Sequence, residues 1–192
     1  MTGRTHDLAA FTALGVIALT YPLPHISLST GLVAVFANLI GGIAPDIDQP
    51  TAPLWRNLPV GGVLGRVFKT VVGGHRFISH SILGAVLFGF AFHYLLVVLR
   101  PSFPHLDISI IWWAFMIGFI SHLVMDTITR EGVPWLLPLP VKFGIPPFRD
   151  FRVETGKFAE NFIIFPSLLI FNGYFYYLHY VIILDLLHKH LQ

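Results

Sequence analysis

Apolar residues fill this chain in long runs, and polar residues gather in the gaps between them. The runs lie at roughly 8–21, 26–45, 78–99, 108–129 and 161–184. A bilayer-spanning helix needs about 20 mostly apolar residues, and all but the first run meet that length. The first run is short, which predicts a helix that is tilted, partly embedded, or extended N-terminally through Thr5 to Asp7. Tyr21-Pro22-Leu23-Pro24-His25 is a tight break, so the first two runs are expected to pair as a helical hairpin. Residues 59–72 read as a short amphipathic helix in the membrane interface, within an interfacial stretch of about 50–72. The Pro-rich stretch 134–148 is no regular helix, and its Trp135, Phe143 and Phe148 suit the headgroup zone. Gly31, Gly41, Gly42, Gly84, Gly89 and Gly118 are small enough to allow close helix contact. The expected fold is all-α: a single integral membrane domain over 1–192, a polytopic bundle of four to five transmembrane helices with an interfacial amphipathic segment.

Composition strengthens the membrane reading. The chain of 192 residues is 55% hydrophobic and only 11% charged, whereas a soluble domain carries about a quarter charged residues. So few charges cannot cover a surface against water, so lipid is the expected solvent. The absence of cysteine excludes disulfides, thiolate zinc sites and a cysteine nucleophile. A formal net charge of +2 without a basic stripe gives no reason to expect nucleic acid. The start of the chain, with Arg4 ahead of a short apolar run, resembles a signal peptide. No small-residue cleavage site follows, so a retained helix is expected.

Charge sorts the loops. Arg56, Arg66, Lys69 and Arg76 lie between runs two and three, and Arg130, Lys142, Arg149, Arg152 and Lys157 between runs four and five. The connections at 22–25 and 100–107 carry only Arg100. The positive-inside rule then places the N-terminus and both basic loops in the cytoplasm. Lys189, in the C-terminal tail, falls on the other side and opposes this arrangement.

On that topology the metal-ligating residue types converge. His6 precedes the first run, Asp46 and Asp48 follow the second, His75 and His80 open the third, and His122 and Asp126 close the fourth. His122 and Asp126 are spaced i, i+4 and share a helix face. Asp46 and Asp48, two apart after Pro45, can aim at one centre from an extended or turn segment. Imidazole with carboxylate suits zinc, manganese or iron, and seven potential ligands are better used by two ions than by one. Ionisable residues in a membrane segment are costly and usually mark function. Taken singly, each has a plainer explanation: a histidine at a helix end hydrogen-bonds or snorkels, and Asp46 and Asp48 can cap a turn before Pro50. Their convergence favours a metal site. Arg76, between the two histidines of its place, can clamp a phosphate or anchor the helix to headgroups. Glu160 can cap the last helix or face the metals.

The motifs are Pro-Asp-Ile-Asp at 45–48, His-Arg-Phe-Ile-Ser-His-Ser at 75–81, and His-x-x-x-Asp at 122–126 followed by Gly-Val-Pro. With His6 ahead of them, the chain resembles the YdjM-like family, described as LexA-regulated, inner-membrane-associated, metal-dependent hydrolases. The likeness runs from about residue 5 to about 162. It implies metal roles for His6, Asp46, Asp48, His75, His80, His122 and Asp126. It also draws attention to Glu160, which matches the family's Gly-x-x-x-Glu element through Gly156. Phe77 stands where relatives commonly have glycine, and Ser79 where they often have threonine.

The expected function is a divalent-metal-dependent hydrolase of the cytoplasmic (inner) membrane, its site facing the cytoplasm. Zinc or manganese, as two ions, would activate water against a phosphoester of a lipid or lipid-like substrate. Asp48 and Asp126 are candidates for bridge or base, with Arg76 and Glu160 beside the reacting groups. The alternatives are an intramembrane metalloprotease or amidase, and a non-enzymatic metal protein that is structural, a sensor or a transporter. The first lacks His-Glu-x-x-His. Transport needs ligands near the midplane with access from both sides, whereas these ligands cluster at one face.

Overall fold

The structure, a computed structural model, describes residues 1–21, 26–49, 55, 61–71, 78–139 and 141–191. Among these residues there is no strand. The helices are α1 (Gly3–Thr20), α2 (Leu28–Ile43), α3 (Gly61–Val71), α4 (Ile82–Leu99), α5 (Ile108–Thr127), α6 (Phe165–Leu178) and α7 (Tyr180–Leu191). Four stretches are long and apolar enough to cross a bilayer: Leu28–Asp48, Ile82–Ser102, Ile108–Thr127 and Ala159–Leu178. The all-α membrane-bundle expectation therefore holds.

Capping chemistry explains where the runs become helix. The Ser27 hydroxyl accepts the Thr30 amide at 3.2 Å, and the Ser81 hydroxyl accepts that of Gly84 at 3.0 Å. Asp107 accepts the amides of Ser109 and Ile110 at 2.9 and 3.2 Å. Each side chain satisfies an amide that the helix itself leaves without a partner. The first helix begins earlier than its apolar run, at Gly3, so His6 lies inside its first turns rather than ahead of it. The fifth run is not one helix. Pro166 has no amide for the Phe162 carbonyl, and the chain widens into a π turn over Ala159–Ile164 before α6. A second break at His179 separates α6 from α7.

Two glycines set the centre of the bundle, where α2 crosses α5. A Cβ on Gly41 would stand 2.1 Å from the Phe115 carbonyl oxygen, and one on Gly118 would stand 2.0 Å from that of Asn38. Only residues without a side chain allow this approach. Asn38 seals the crossing by donating to the Ala114 carbonyl at 3.0 Å. Ala37, Ile111, Phe115, Phe119 and Leu123 pack around it. Gly31, expected at a close contact, instead faces open space with nothing within 4 Å. Helix α1 packs on α2, α5 and α6. Outward faces carry exposed Phe36, Phe90, Trp113 and Ile170, as lipid contact permits.

The 134–148 stretch is irregular, as its prolines predict. Val133 and Phe143 exchange two backbone hydrogen bonds at 2.8 and 2.9 Å. The Arg152 guanidinium turns inward and donates to the Pro146 and Pro147 carbonyls at 2.7 and 2.9 Å, so it is engaged by the loop. Arg130 pairs with Asp150 and Glu154. The loop docks onto the bundle where the Trp135 carbonyl accepts the Ile82 amide at 3.0 Å and its indole donates to Thr127 at 2.9 Å. Helix α3 falls where the amphipathic segment was expected, and the neighbouring Trp55 indole donates to the Ile47 carbonyl at 2.7 Å.

Candidate metal centre

The start of α1, the end of α2, the approach to α4 and the end of α5 meet at one end of the bundle. They bring together His6, Asp46, Asp48, His80, His122 and Asp126. Five of these six are at most 1% exposed. Asp46 is 25% exposed and forms the open side. His75 and Arg76, also expected here, lie outside the described residues.

Two sets of ligand atoms lie within 4.8 Å of one another: His6 with His122 and Asp126, and Asp46 with His80 and His122. His122 is fixed by the helix crossing. Its Nδ1 lies 2.6 Å from the Gly42 carbonyl oxygen, which can only accept, so Nδ1 carries the proton and Nε2 presents a lone pair. His80 is fixed from behind in the same sense. Ser79 donates its hydroxyl proton to Asp48 Oδ2 at 2.5 Å, and its oxygen faces His80 Nδ1 at 3.0 Å. That oxygen therefore accepts from Nδ1–H, and His80 Nε2 also points inward. Outer partners of this kind hold metal-ligating imidazoles in one tautomer.

The two Nε2 atoms are 3.3 Å apart. Two imidazole nitrogens bound to one tetrahedral zinc at about 2.05 Å stand roughly 3.3 Å from each other. His80 Nε2 lies 3.6 Å from both Asp46 Oδ1 and Asp126 Oδ2, and His122 Nε2 lies 3.8 Å from both. These separations suit the wider angles of a distorted site. On donor type and spacing, the residues fit a divalent ion.

The two aspartates of Pro-Asp-Ile-Asp do not aim at one centre. They sit in a 3₁₀ turn, Ala44–Asp48, where residues two apart point about 120° from each other. Asp46 meets His80 on its Nε2 side, and Asp48 lies 3.6 Å from its Nδ1. The pair thus brackets one imidazole. On the other flank, the His6 and His122 rings stack at 3.7 Å. His6 Nε2 is 3.3 Å from Asp126 Oδ1, which also accepts the Met1 α-amino group at 2.5 Å. Among the described residues, neither ring nitrogen of His6 has a hydrogen-bond partner.

Glu160 is buried and committed elsewhere. Oε1 accepts the Thr2 amide, the Thr2 hydroxyl and the Thr5 hydroxyl at 2.7, 2.6 and 2.7 Å, and Oε2 accepts the Gly156 amide at 2.7 Å. Four donors leave it a clamp that holds the start of α1, and with it His6, against the π turn. Burial presses the His80 imidazole toward neutrality. The nearby carboxylates of Asp46 and Asp48 and the charge of Asp126 more than offset this, raising its pKa above the ordinary value.

Ser79, Gly42, Thr2 and Thr5 were not among the expected site residues. The sequence signal for Ser79 was its position directly before a ligand histidine. Gly42 carries no reactive group to notice.

The sequence model of the family described as "YdjM inner membrane protein" matches residues 1–186. The chain belongs to that family. This YdjM-family chain is 26% identical to the "Uncharacterized protein YvsG" of Bacillus subtilis over 178 residues, covering 93% of this chain and 96% of that protein. It is 32% identical to the "Inner membrane protein YdjM" of Escherichia coli over 122 residues, covering 63% of this chain and 56% of that protein. A Shigella flexneri protein of the same name matches to the same extent. No solved structure matches the chain.

Proposed function

We propose that this YdjM-family protein is a divalent-metal-dependent hydrolase of the cytoplasmic membrane, acting at the cytoplasmic face on a phosphoester of a lipid or lipid-like substrate. The supporting observation is the pair of Nε2 atoms of His80 and His122, held 3.3 Å apart by separate outer partners. Two nitrogens so placed repel unless a cation lies between them, a proton on His80 in the metal-free protein or a metal ion that displaces it, and burial of so many ionisable groups is otherwise costly.

Asp46, His80, His122 and Asp126 Oδ2 would hold the first ion. Asp126 Oδ1 and His6 would begin a second site, with His75 as a further candidate ligand. His122 can serve one ion only, because Gly42 occupies its other nitrogen. Oxygen and nitrogen donors favour zinc or manganese. A bound divalent ion supplies Lewis acidity toward a phosphoryl oxygen and lowers the pKa of water.

The chain's own groups have separate tasks. Asp46, on the open side, would orient the incoming water. Asp48 and Ser79 lock the His80 tautomer. Glu160 holds α1 in place. Arg76 is the candidate phosphate clamp. The basic connections 56–76 and 130–157 orient this end toward the cytoplasm by the positive-inside rule.

The test is metal content per chain on detergent-purified protein, followed by a screen of phosphoester lipids with and without chelator. We expect up to two ions per chain and chelator-sensitive release of phosphate or a phosphorylated headgroup. Tight metal with no hydrolysis of any phosphoester lipid would leave a structural metal that ties four helix ends together. Failure to bind zinc, manganese or magnesium would sink the proposal at its base.

A further inference from the structure

We propose that the groove between α1, α5 and α6 seats one acyl chain of a membrane lipid whose headgroup lies at the end of the bundle that carries the metal centre. The role of that lipid as substrate rests on the hydrolase reading, but the physical basis of the groove is separate. The groove has a volume of about 510 Å³, and Ala9, Ala13 and Ile17 line one wall, with Ile120, Val124 and Met125 on another. Ala9 and Ala13 are the small residues that make the depression.

Its polar atoms are turned away. Thr12 donates its hydroxyl proton to the Leu8 carbonyl at 2.6 Å, and Ser121 donates to that of Gly118 at 2.9 Å. What faces the groove is hydrocarbon, and it lies beside a helix long and apolar enough to cross a bilayer.

Length and lining point to the occupant. From Trp113 to Met125 the groove follows α5 for about 18 Å at 1.5 Å per residue. One leaflet of a bilayer contributes about 15 Å of hydrocarbon. A single extended chain fits.

The groove also leads to the right place. His6, Ala9, Ala13 and Ile17 follow one face of α1, so the ligand histidine continues the lining stripe one turn further. Met125 ends the opposite wall next to Asp126. A second groove of the same volume, between α4 and α5, includes His93 and Ser109 and runs toward the other end of the bundle. It supplies an internal control.

The experiment reconstitutes the full chain in phosphatidylglycerol vesicles doped with a phosphatidylglycerol that carries a diazirine on one acyl chain. After photolysis, adducts are mapped by peptide mass spectrometry. We expect labelling over 9–17 and 117–125 to exceed that around Phe36, Phe90 and His93 several-fold. Ala13→Phe should reduce it several-fold with metal content unchanged. Even labelling of all outward faces would overturn the proposal, as would undiminished labelling in Ala13→Phe, or a second copy of the chain cross-linked in the groove. The wild-type map by itself separates selective from even labelling, even where Ala13→Phe fails to fold. Loss of metal or of hydrolysis with the labelling pattern intact would strike the hydrolase reading and leave the groove standing.

Discussion

The two ends of this bundle use the same residue types differently. At the far end, Ser27, Thr30 and Asp107 spend their oxygens on backbone amides. Asp107 caps α5, and Thr30 accepts the Asp107 amide at 3.2 Å. Every such contact is local or serves to join helix ends. At the other end, Asp46, His80, His122 and Asp126 aim at one another across four chain segments, while capping falls to Ser81. A polar group at a helix end is structural when the backbone absorbs it. It is a candidate ligand when its partners are other side chains that share its need for a cation.

The largest effect should come from His122→Ala, His80→Ala or Asp46→Ala. Each removes a proposed ligand of the first ion, and metal affinity should fall at least 100-fold by competitive chelation. Asp107→Ala, at the opposite end, should leave the metal content of the purified protein unchanged. If both ends responded alike, the contrast would collapse into general destabilisation.

Gly41→Ala comes next. Its methyl group meets the Phe115 carbonyl, which should cost about 1–3 kcal/mol and shift the Gly42 carbonyl away from His122. Thermal unfolding and metal binding should both suffer. Gly31→Ala, on the same helix with nothing nearby, should instead raise stability by about 0.5–1 kcal/mol.

Asp48→Asn should act more gently, through the orientation of His80. Outer-partner losses typically cost about 10–100-fold in metal affinity, with stoichiometry kept. A loss as complete as in Asp46→Ala would mean that Asp48 is itself a ligand.

Acid should weaken binding through the same imidazole. His80 holds its proton to higher pH than usual, and a metal must displace that proton. Affinity should therefore decline as pH falls through a raised range, about tenfold per unit at most for one proton. A flat metal titration between neutral pH and pH 6 would contradict this.

A similarly small effect, of opposite sign to that of Gly31→Ala, should be that of Asp107→Ala on stability, about 1 kcal/mol for a lost cap, read as a modest drop in unfolding temperature.

Much of this was legible from periodicity. Run length gave the spanning helices, and loop alternation put His6, Asp46, His80 and His122 at one end. The i, i+4 spacing of His122 and Asp126 needed only helical geometry. What escaped depended on local backbone form. A 3₁₀ turn separates Asp46 from Asp48, and nothing in Pro-Asp-Ile-Asp distinguishes it from an extended segment. Glu160 was expected beside the reacting groups, and only the donors from Thr2, Thr5 and Gly156 show it to be a clamp. Pro166 was visible in the sequence, but whether a proline breaks a helix or is absorbed by a π turn depends on its neighbours.

Position 42 illustrates a kind of constraint that a survey of reactive groups passes over. Gly42 offers no chemistry of its own, and every residue has a carbonyl. Yet this carbonyl decides which nitrogen of His122 faces the centre, and it can do so only while α1 and α5 both lie against it. An added Cβ would stand 3.0 Å from that of Ala10. The constraint at such a site is one of volume. Drift among larger residues would be silent in any list of catalytic groups and felt first as a metal centre that no longer knows which way its histidine should point.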